Sequence, residues 1–431
     1  MPRPLTRHDY RTLSLAALGG ALEFYDFVIY VFLAPVIGRL FFPADMPDWL
    51  RLLQTFGIFS AAYMARPLGG IAIAHFGDLL GRKRMFALSI FLMAVPTLAI
   101  GLLPTYARIG VAAPLLLLLM RILQGVAIGG EVPGAWVFVA EHVPEQRFGF
   151  GIGTLTAGLT TGILFGSLMA VAINAIFSPA DVDGFAWRIP FIAGGVFGLI
   201  SVYLRRFLEE TPVFQELKAR RALASEVPLK AVLRDHRGAT LLALALTWVL
   251  TGGIVVVILF TPAYLQQVFH VPARYALQAN TGATFTFAVG CLVFGWASDR
   301  FGTRATMVAG FAGLLGSSYL FYSSMPDAPA VINRLYALVG FFVGAVTLVP
   351  IVALRLFPSP VRFSGLSFSY NVSYAIFGGL TPIVLTVWLR TNAMAPAYYV
   401  GGLALLGMAL ALVPWSDSYK TETSNSATLS P

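Results

Sequence analysis

The chain has 431 residues, of which 58% are hydrophobic and 11% charged, with one Cys, a net charge of +9 and a mean hydropathy of +0.78. Soluble domains carry about 25% charged residues, so a water-soluble enzyme of this size is excluded, as are large soluble appendages. Cys291 stands alone in an apolar stretch, which leaves no disulfide framework and no cysteine-based metal site.

A spanning helix needs roughly 20 apolar residues, and the chain offers twelve apolar runs bounded by charge. They cover 12–40, 52–76, 85–103, 112–139, 148–177, 189–204, 240–263, 275–297, 305–323, 331–354, 363–389 and 397–413. The first contains Glu23 and Asp26 and is too long for a secretory core, so it is read as a retained helix. Lys and Arg outside the runs divide 20 to 7 between the two faces, with Arg66 and Arg121 left inside runs. The richer face holds both termini, which places them in the cytoplasm of a cell inner membrane. The positive charge is therefore topological and calls for no nucleic-acid partner.

The longest polar stretch separates two six-helix halves. The expected organisation is a bundle over 1–204, a cytoplasmic linker over 205–238, a second bundle over 239–415 and a polar tail over 416–431. Within the linker, 211–226 begins near Pro212 and sets Phe214, Leu217 and Leu223 among Lys218, Arg220 and Arg221, the pattern of a short interfacial helix, with a solvated linker the alternative. Two loop strings recur at nearly one half-length. Asp78-Leu-Leu-Gly-Arg82-Lys83 returns as Asp299-Arg-Phe-Gly-Thr-Arg304, 221 residues on, and Arg147-Phe-Gly returns around Arg362, 215 residues on. A duplicated bundle of this kind encloses a site near the membrane midplane.

The loop string Gly295-Trp-Ala-Ser-Asp299-Arg300-Phe-Gly302-Thr-Arg304 resembles the signature G-x-x-x-D-R-x-G-R-[RK] of the major facilitator superfamily. The first copy departs from it, with Ala74 for the opening Gly and Leu79 for the basic residue after Asp78. More narrowly, the chain is similar to the metabolite:proton symporters of that superfamily, which carry citrate, 2-oxoglutarate, shikimate or proline/betaine. The strings that carry this likeness are Ala21-Leu-Glu-Phe-Tyr-Asp-Phe27, Ala65-Arg-Pro-Leu-Gly-Gly70, Arg121-Ile-Leu-Gln-Gly125, Gly129-Gly-Glu131, Trp187-Arg-Ile-Pro-Phe191 and Gly378-Gly-Leu-Thr-Pro382. The resemblance implies an all-α membrane fold of twelve helices in two pseudo-symmetric six-helix bundles. Osmolyte carriers of the group often end in a coiled coil; the last residues here show no heptads, which favours the organic-acid branch.

Five ionisable residues lie inside runs: Glu23, Asp26, Arg66, Arg121 and Glu131. Each costs about 2.5–3.5 kcal/mol at a helix centre and is functional by default. Structural ion pairing within the first bundle is the competing explanation, strongest for Glu131 in its Gly-rich surroundings. Glu23, Asp26 and Tyr30 share one helix face, expected to point into the cavity. Arg66 and Arg121 suit carboxylates, because a guanidinium stays charged and binds them bidentately. Asp26, Glu23 and Glu131 are the proton-carrying candidates. By resemblance to proton-coupled sugar porters, which pair an Asp on helix one with an Arg on helix four, Asp26 and Arg121 form the coupling pair. Tyr30, Gln124, Asn371, Tyr370 and Tyr374 complete the expected substrate site; Thr247, Trp248, Thr251, Asn280 and Thr284 are weaker candidates, since polar residues of this kind more often serve helix packing. The resemblance gives Asp78, Arg82, Glu141, Asp299 and Arg304 a gating role; plain topogenic charge would explain them too.

No H-E-x-x-H metal spacing and no P-loop string occur, so neither metal, cofactor nor ATP is expected, only the proton as coupling ion. Gly153, Gly158, Gly162 and Gly166 space the fifth run for close contact, but Ser167 stands where drug antiporters have a Gly-Pro step. The expected function is proton-coupled import of a small organic acid by a monomer in the bilayer. A proline/betaine symporter and a proton-driven exporter are the alternatives.

Overall fold

A computed structural model describes residues 20–21, 24–80, 82–129, 131–205, 228–325 and 329–414, without the side chains of 71–87, 89–90, 131, 138, 141–142, 200–205, 228–231, 329–331 and 359–360. The expected interfacial helix and the polar tail lie outside the described residues. All regular structure among the described residues is helical, in twelve successive spans joined in places by short helices such as Tyr106–Ile109 and Pro228–Asp235. They are α1 (Phe24–Phe32 and Ala34–Phe41), α2 (Asp48–Leu80), α3 (Arg82–Leu102), α4 (Ala112–Ile128 and Glu131–His142), α5 (Phe148–Ile176) and α6 (Arg188–Arg205). The second half repeats the pattern. Its spans are α7 (Arg237–Ile254, running on through Val268), α8 (Ala273–Phe301), α9 (Thr303–Ser323), α10 (Pro329–Val343, running on through Leu356), α11 (Ser359–Ser373, running on through Trp388) and α12 (Ala395–Leu412). Eight of these are long and apolar enough to cross a bilayer, and the two pieces of α1, bent by 65°, make a ninth.

The irregular turns have a common cause. Proline lacks an N–H and its ring crowds the carbonyl four residues back, which frees a hydrogen bond one turn earlier. Pro133 follows the interruption of α4 at Gly129, Pro262 the π-helical turn Val255–Phe260, Pro350 the 3-10 turn Gly344–Thr347 and Pro382 the π-helical turn Tyr374–Gly378. In α1 the break falls at Leu33, just before Pro35. Pro67 and Pro96 sit inside unbroken helices, so proline alone does not decide. Non-helical backbone at membrane depth is tolerated only where protein or a cavity surrounds it.

Small residues set the helix spacing. A methyl group on Gly125 would lie 1.9 Å from the Ala62 carbonyl oxygen, and one on Gly69 would lie 1.9 Å from that of Val126, so α2 and α4 touch backbone to backbone. Gly162 meets α1 at Ala21, while Gly153 meets α8 at Cys291, whose buried thiol acts as a small apolar filler. The halves join along α5 with α8 and along α2 with α11. Gly302, in the loop of the second motif copy, has φ 86°, a conformation that costs a glycine little and other residues much.

Candidate functional site

Between the halves, a cavity is lined by Phe24, Phe27, Tyr63, Arg66, Ile128 and Tyr374, among others. The space open to the centre of a water is about 20 Å³, room for one water and far less than an amino-acid-sized solute needs. Contacts tie the halves together toward both faces. On one side the Arg390 guanidinium lies 4.1 Å from the Trp49 ring and Phe56 packs on Phe260; on the other, Asp299 accepts hydrogen bonds from Gly149 and Phe150 N–H at 2.7 and 2.8 Å.

Arg66 projects from α2 into a cage of three tyrosines. Its guanidinium carbon lies 4.6 Å from the Tyr374 ring centre, 5.2 Å from Tyr370 and 5.4 Å from Tyr63. Tyr63 precedes Arg66 by three residues and so shares its helix face, while Tyr370 and Tyr374 come from α11 in the other half. The π-helical turn at Tyr374 widens α11 there, and Trp136 backs Tyr370 edge-on at 5.3 Å.

Arg121 on α4 is fully buried, with Tyr30 at 4.4 Å, Phe27 at 4.5 Å and Phe59 at 5.7 Å. Its Nη1 donates to Gln124 Oε1 at 2.8 Å, and Gln124 Nε2 donates to Thr97 Oγ1 at 2.7 Å. Among the described residues, Nε and Nη2 have no hydrogen-bond partner. Cation–π contacts in a desolvated setting are worth about 2 kcal/mol, but they do not fill donor positions. The guanidinium is thus held and still able to receive an anion. Phe27, Phe59 and Tyr63 pack on one another at 4.7–5.4 Å and bridge the two arginine cages.

The structure brings together Arg66, Arg121, Tyr30, Gln124, Tyr370 and Tyr374. Tyr30 contributes its ring, because its hydroxyl donates to the Thr55 carbonyl at 2.9 Å. Asp26 departs from the expected orientation. It is 4% exposed and faces α6: a methyl on Gly194 would lie 2.4 Å from its Oδ1, and one on Gly198 would lie 3.6 Å from its Oδ2. Two glycines on α6 open this slot, turning the carboxyl away from the cavity. No ion pair joins Asp26 to Arg121 in this structure, whose guanidinium is engaged by Gln124. Asn371 also differs from expectation. Its amide nitrogen donates to Gly129 O at 2.5 Å and Ser367 O at 2.9 Å, so it staples α11 to the interruption of α4. Glu23 and the side chains of Glu131, Asp78, Arg82 and Glu141 lie outside the described residues.

Asp299 reaches across to the N-terminus of α5, where exposed N–H groups and the helix dipole favour an anion. Arg304 stands in the first turn of α9. Thr247, Thr284 and Thr261 donate to backbone carbonyls within or beside their own helices, and Asn280 accepts from Tyr336 at 2.7 Å. These residues serve packing. Sequence reasoning missed Tyr63, Phe27, Phe59 and Thr97; the one available signal was the i, i+3 spacing of Tyr63 and Arg66.

Two six-helix bundles around a charged, aromatic-lined centre define a polytopic membrane carrier rather than an enzyme. Residues 16–382 match the family description "Major Facilitator Superfamily", and the chain belongs to that family. It is 33% identical over 403 residues to a putative proline/betaine transporter of Staphylococcus aureus (strain COL), covering 92% of this chain and 86% of that protein. It is 32% identical over 425 residues to the glycine betaine/proline/ectoine/pipecolic acid transporter OusA of Dickeya dadantii (93% and 82% covered). The proline/betaine transporter of Escherichia coli (strain K12) is 32% identical over 423 residues, with 92% and 82% covered. The fold matches the xylose transporter XylE from E. coli with a TM-score of 0.74 at 16% identity, over 95% of this chain and 99% of that one. The named relatives favour the zwitterionic-solute alternative over the organic-acid expectation.

Proposed function

We propose that the chain is a proton-coupled importer of a small zwitterionic solute of the proline or betaine type. It works by alternating access in the inner membrane, with both termini cytoplasmic. The observation that carries the reading is the Arg66 cage, three tyrosine faces around one guanidinium in the central cavity. A zwitterion fits both halves of that chemistry: its carboxylate pairs with the guanidinium, and its ammonium lies on the aromatic faces. The names of the relatives support the same solute class.

Asp26 is the proton carrier in this reading. A buried charge without a counter-ion is costly, and a bound proton removes that cost when the slot beside α6 is dry. The second buried guanidinium, Arg121, is the observation that favours the organic-acid reading, since a dicarboxylate would use both arginines. Uptake by proteoliposomes under an inward proton gradient separates the two. Betaine or proline should accumulate while citrate, 2-oxoglutarate and shikimate do not; accumulation of the acids alone would overturn the zwitterion.

A further inference from the structure

The path from Arg121 toward Asp26 is built of neutral groups. Arg121 Nη1 bonds Gln124 Oε1 at 2.8 Å, Gln124 Nε2 bonds Thr97 Oγ1 at 2.7 Å, and the Thr97 hydroxyl gives its own proton to the Met93 carbonyl at 2.8 Å. Arg121, Gln124 and Thr97 have no exposed surface. The chain is directional, because only one amide orientation lets Gln124 accept from Arg121 and donate to Thr97. Thr97 also borders the Asp26 slot. The methyl group that would meet Asp26 Oδ1 at 2.4 Å on Gly194 would meet Thr97 Cγ2 at 3.3 Å, so carboxyl and threonine line the same point of α6.

Among the described residues, the other groups around the slot are quiet. On α1, Tyr25 donates to the Pro190 carbonyl at 3.0 Å and Tyr30 to that of Thr55. α3 and α6 present Ala94, Thr97, Gly194 and Gly198, none of them titratable, and α4 presents Arg121 and Gln124. We infer that Thr97 and Gln124 are positioning residues that pass the state of Arg121 to Asp26. The inference rests on Asp26 being the proton carrier proposed above.

Once the loaded carrier opens to the cytoplasm, the solute carboxylate passes from the Arg66 cage to the open donors of Arg121, and the guanidinium loosens its hold on Gln124 Oε1. The amide is then free to turn and stops donating to Thr97. The Thr97 hydroxyl can swing from Met93 to the Asp26 carboxylate, stabilising it once its O–H bond has broken and the proton has passed to water at the cytoplasmic face, the side on which the solute also leaves. Reset follows when Asp26 takes a proton from water at the other face and Gln124 closes again on Arg121. The path explains coupling without an Asp26–Arg121 contact.

Thr97→Val removes the hydroxyl at nearly constant shape. In proteoliposomes with radiolabelled betaine, counterflow without a proton gradient should stay near wild type. Proton-driven accumulation should fall about tenfold, the weight of one buried hydrogen bond, and lose its dependence on external pH. Thr97→Ser should restore both. Gln124→Met, equally long but without the amide, should likewise remove the dependence of accumulation on external pH if Thr97→Val does not fold. Wild-type accumulation and pH profile in Thr97→Val, or in Gln124→Met where that variant stands in, would overturn the link. If Asp26→Asn keeps proton-driven accumulation, the carrier assignment fails first; if Asp26→Asn uncouples and Thr97→Val does not, only the link fails.

Discussion

In the first six spans the buried side chains include Asp26, Arg66 and Arg121 near mid-membrane, whereas the second six bury hydroxyls and amides there. Arg362, the buried charge of the second half, sits near the start of α11 and donates to the Phe357 carbonyl at 3.2 Å. Several of the neutral groups close on one another, as when Tyr336 donates to Asn280 and Thr261 bonds Tyr322 at 2.7 Å, while the Thr251, Thr347 and Ser369 hydroxyls have no hydrogen-bond partner among the described residues. Arg121 keeps two nitrogens without hydrogen bonds among the described residues. A satisfied network rigidifies, while a charged group with open valence needs a ligand or a rearrangement to complete it. In the proposed function the first half therefore carries the chemistry, and the second supplies aromatic faces and a frame.

Substitutions that move charge in the first half should break this division most visibly. Asp26→Asn should abolish proton-driven accumulation and flatten its pH profile while leaving counterflow measurable; retained pH-dependent accumulation would remove Asp26 from the mechanism. Arg66→Lys should weaken solute affinity about 10- to 100-fold, because an ammonium keeps the charge but loses the planar fork and its stacking. Isothermal titration with betaine would read this directly.

Smaller effects test the second half. Tyr374→Leu should weaken binding by about 0.5–2 kcal/mol, the worth of one cation–π face, whereas Tyr374→Phe should bind like wild type. Equal losses in both would mean that the hydroxyl matters, not the ring. Asp299→Asn should shift the balance of conformations by a few-fold, since it removes a charge worth about 0.3–1 kcal/mol at the α5 N-terminus; site-directed spin labels across α5 and α8 would report it. Tyr336→Phe should lower thermal stability by about 1 kcal/mol with solute affinity unchanged. If it instead abolished transport, the frame-like role of the second half would be wrong.

Much of the fold was legible in the chain. Apolar runs bounded by charge gave the twelve spans, and the recurring loop strings gave the two halves. The breaks in α4, α7, α10 and α11 were also written there, one turn before Pro133, Pro262, Pro350 and Pro382, although Pro67 and Pro96 show why that signal is incomplete. The candidate site was half legible. Arg66 and Arg121 stood out because a charge in an apolar run is expensive, and Tyr370 and Tyr374 because they lie in a polar run of α11. Phe27 and Phe59 were indistinguishable from the many aromatic residues that merely fill space, and Tyr63 was marked by its spacing from Arg66 alone.

Sequence by itself determined what must cross the bilayer and which charges it must hide, since both follow from the cost of moving single residues out of water. It could not determine which way a buried side chain points. Gly194 and Gly198 on α6 turn Asp26 away from the cavity, Gln124 stands between Arg121 and that carboxyl, and Asn371 spends its amide on the α4 interruption. The Asp26 slot depends on glycines about 170 residues away, Gln124 on Thr97 27 residues back and Asn371 on a carbonyl 242 residues away, and only packing brings such neighbours together.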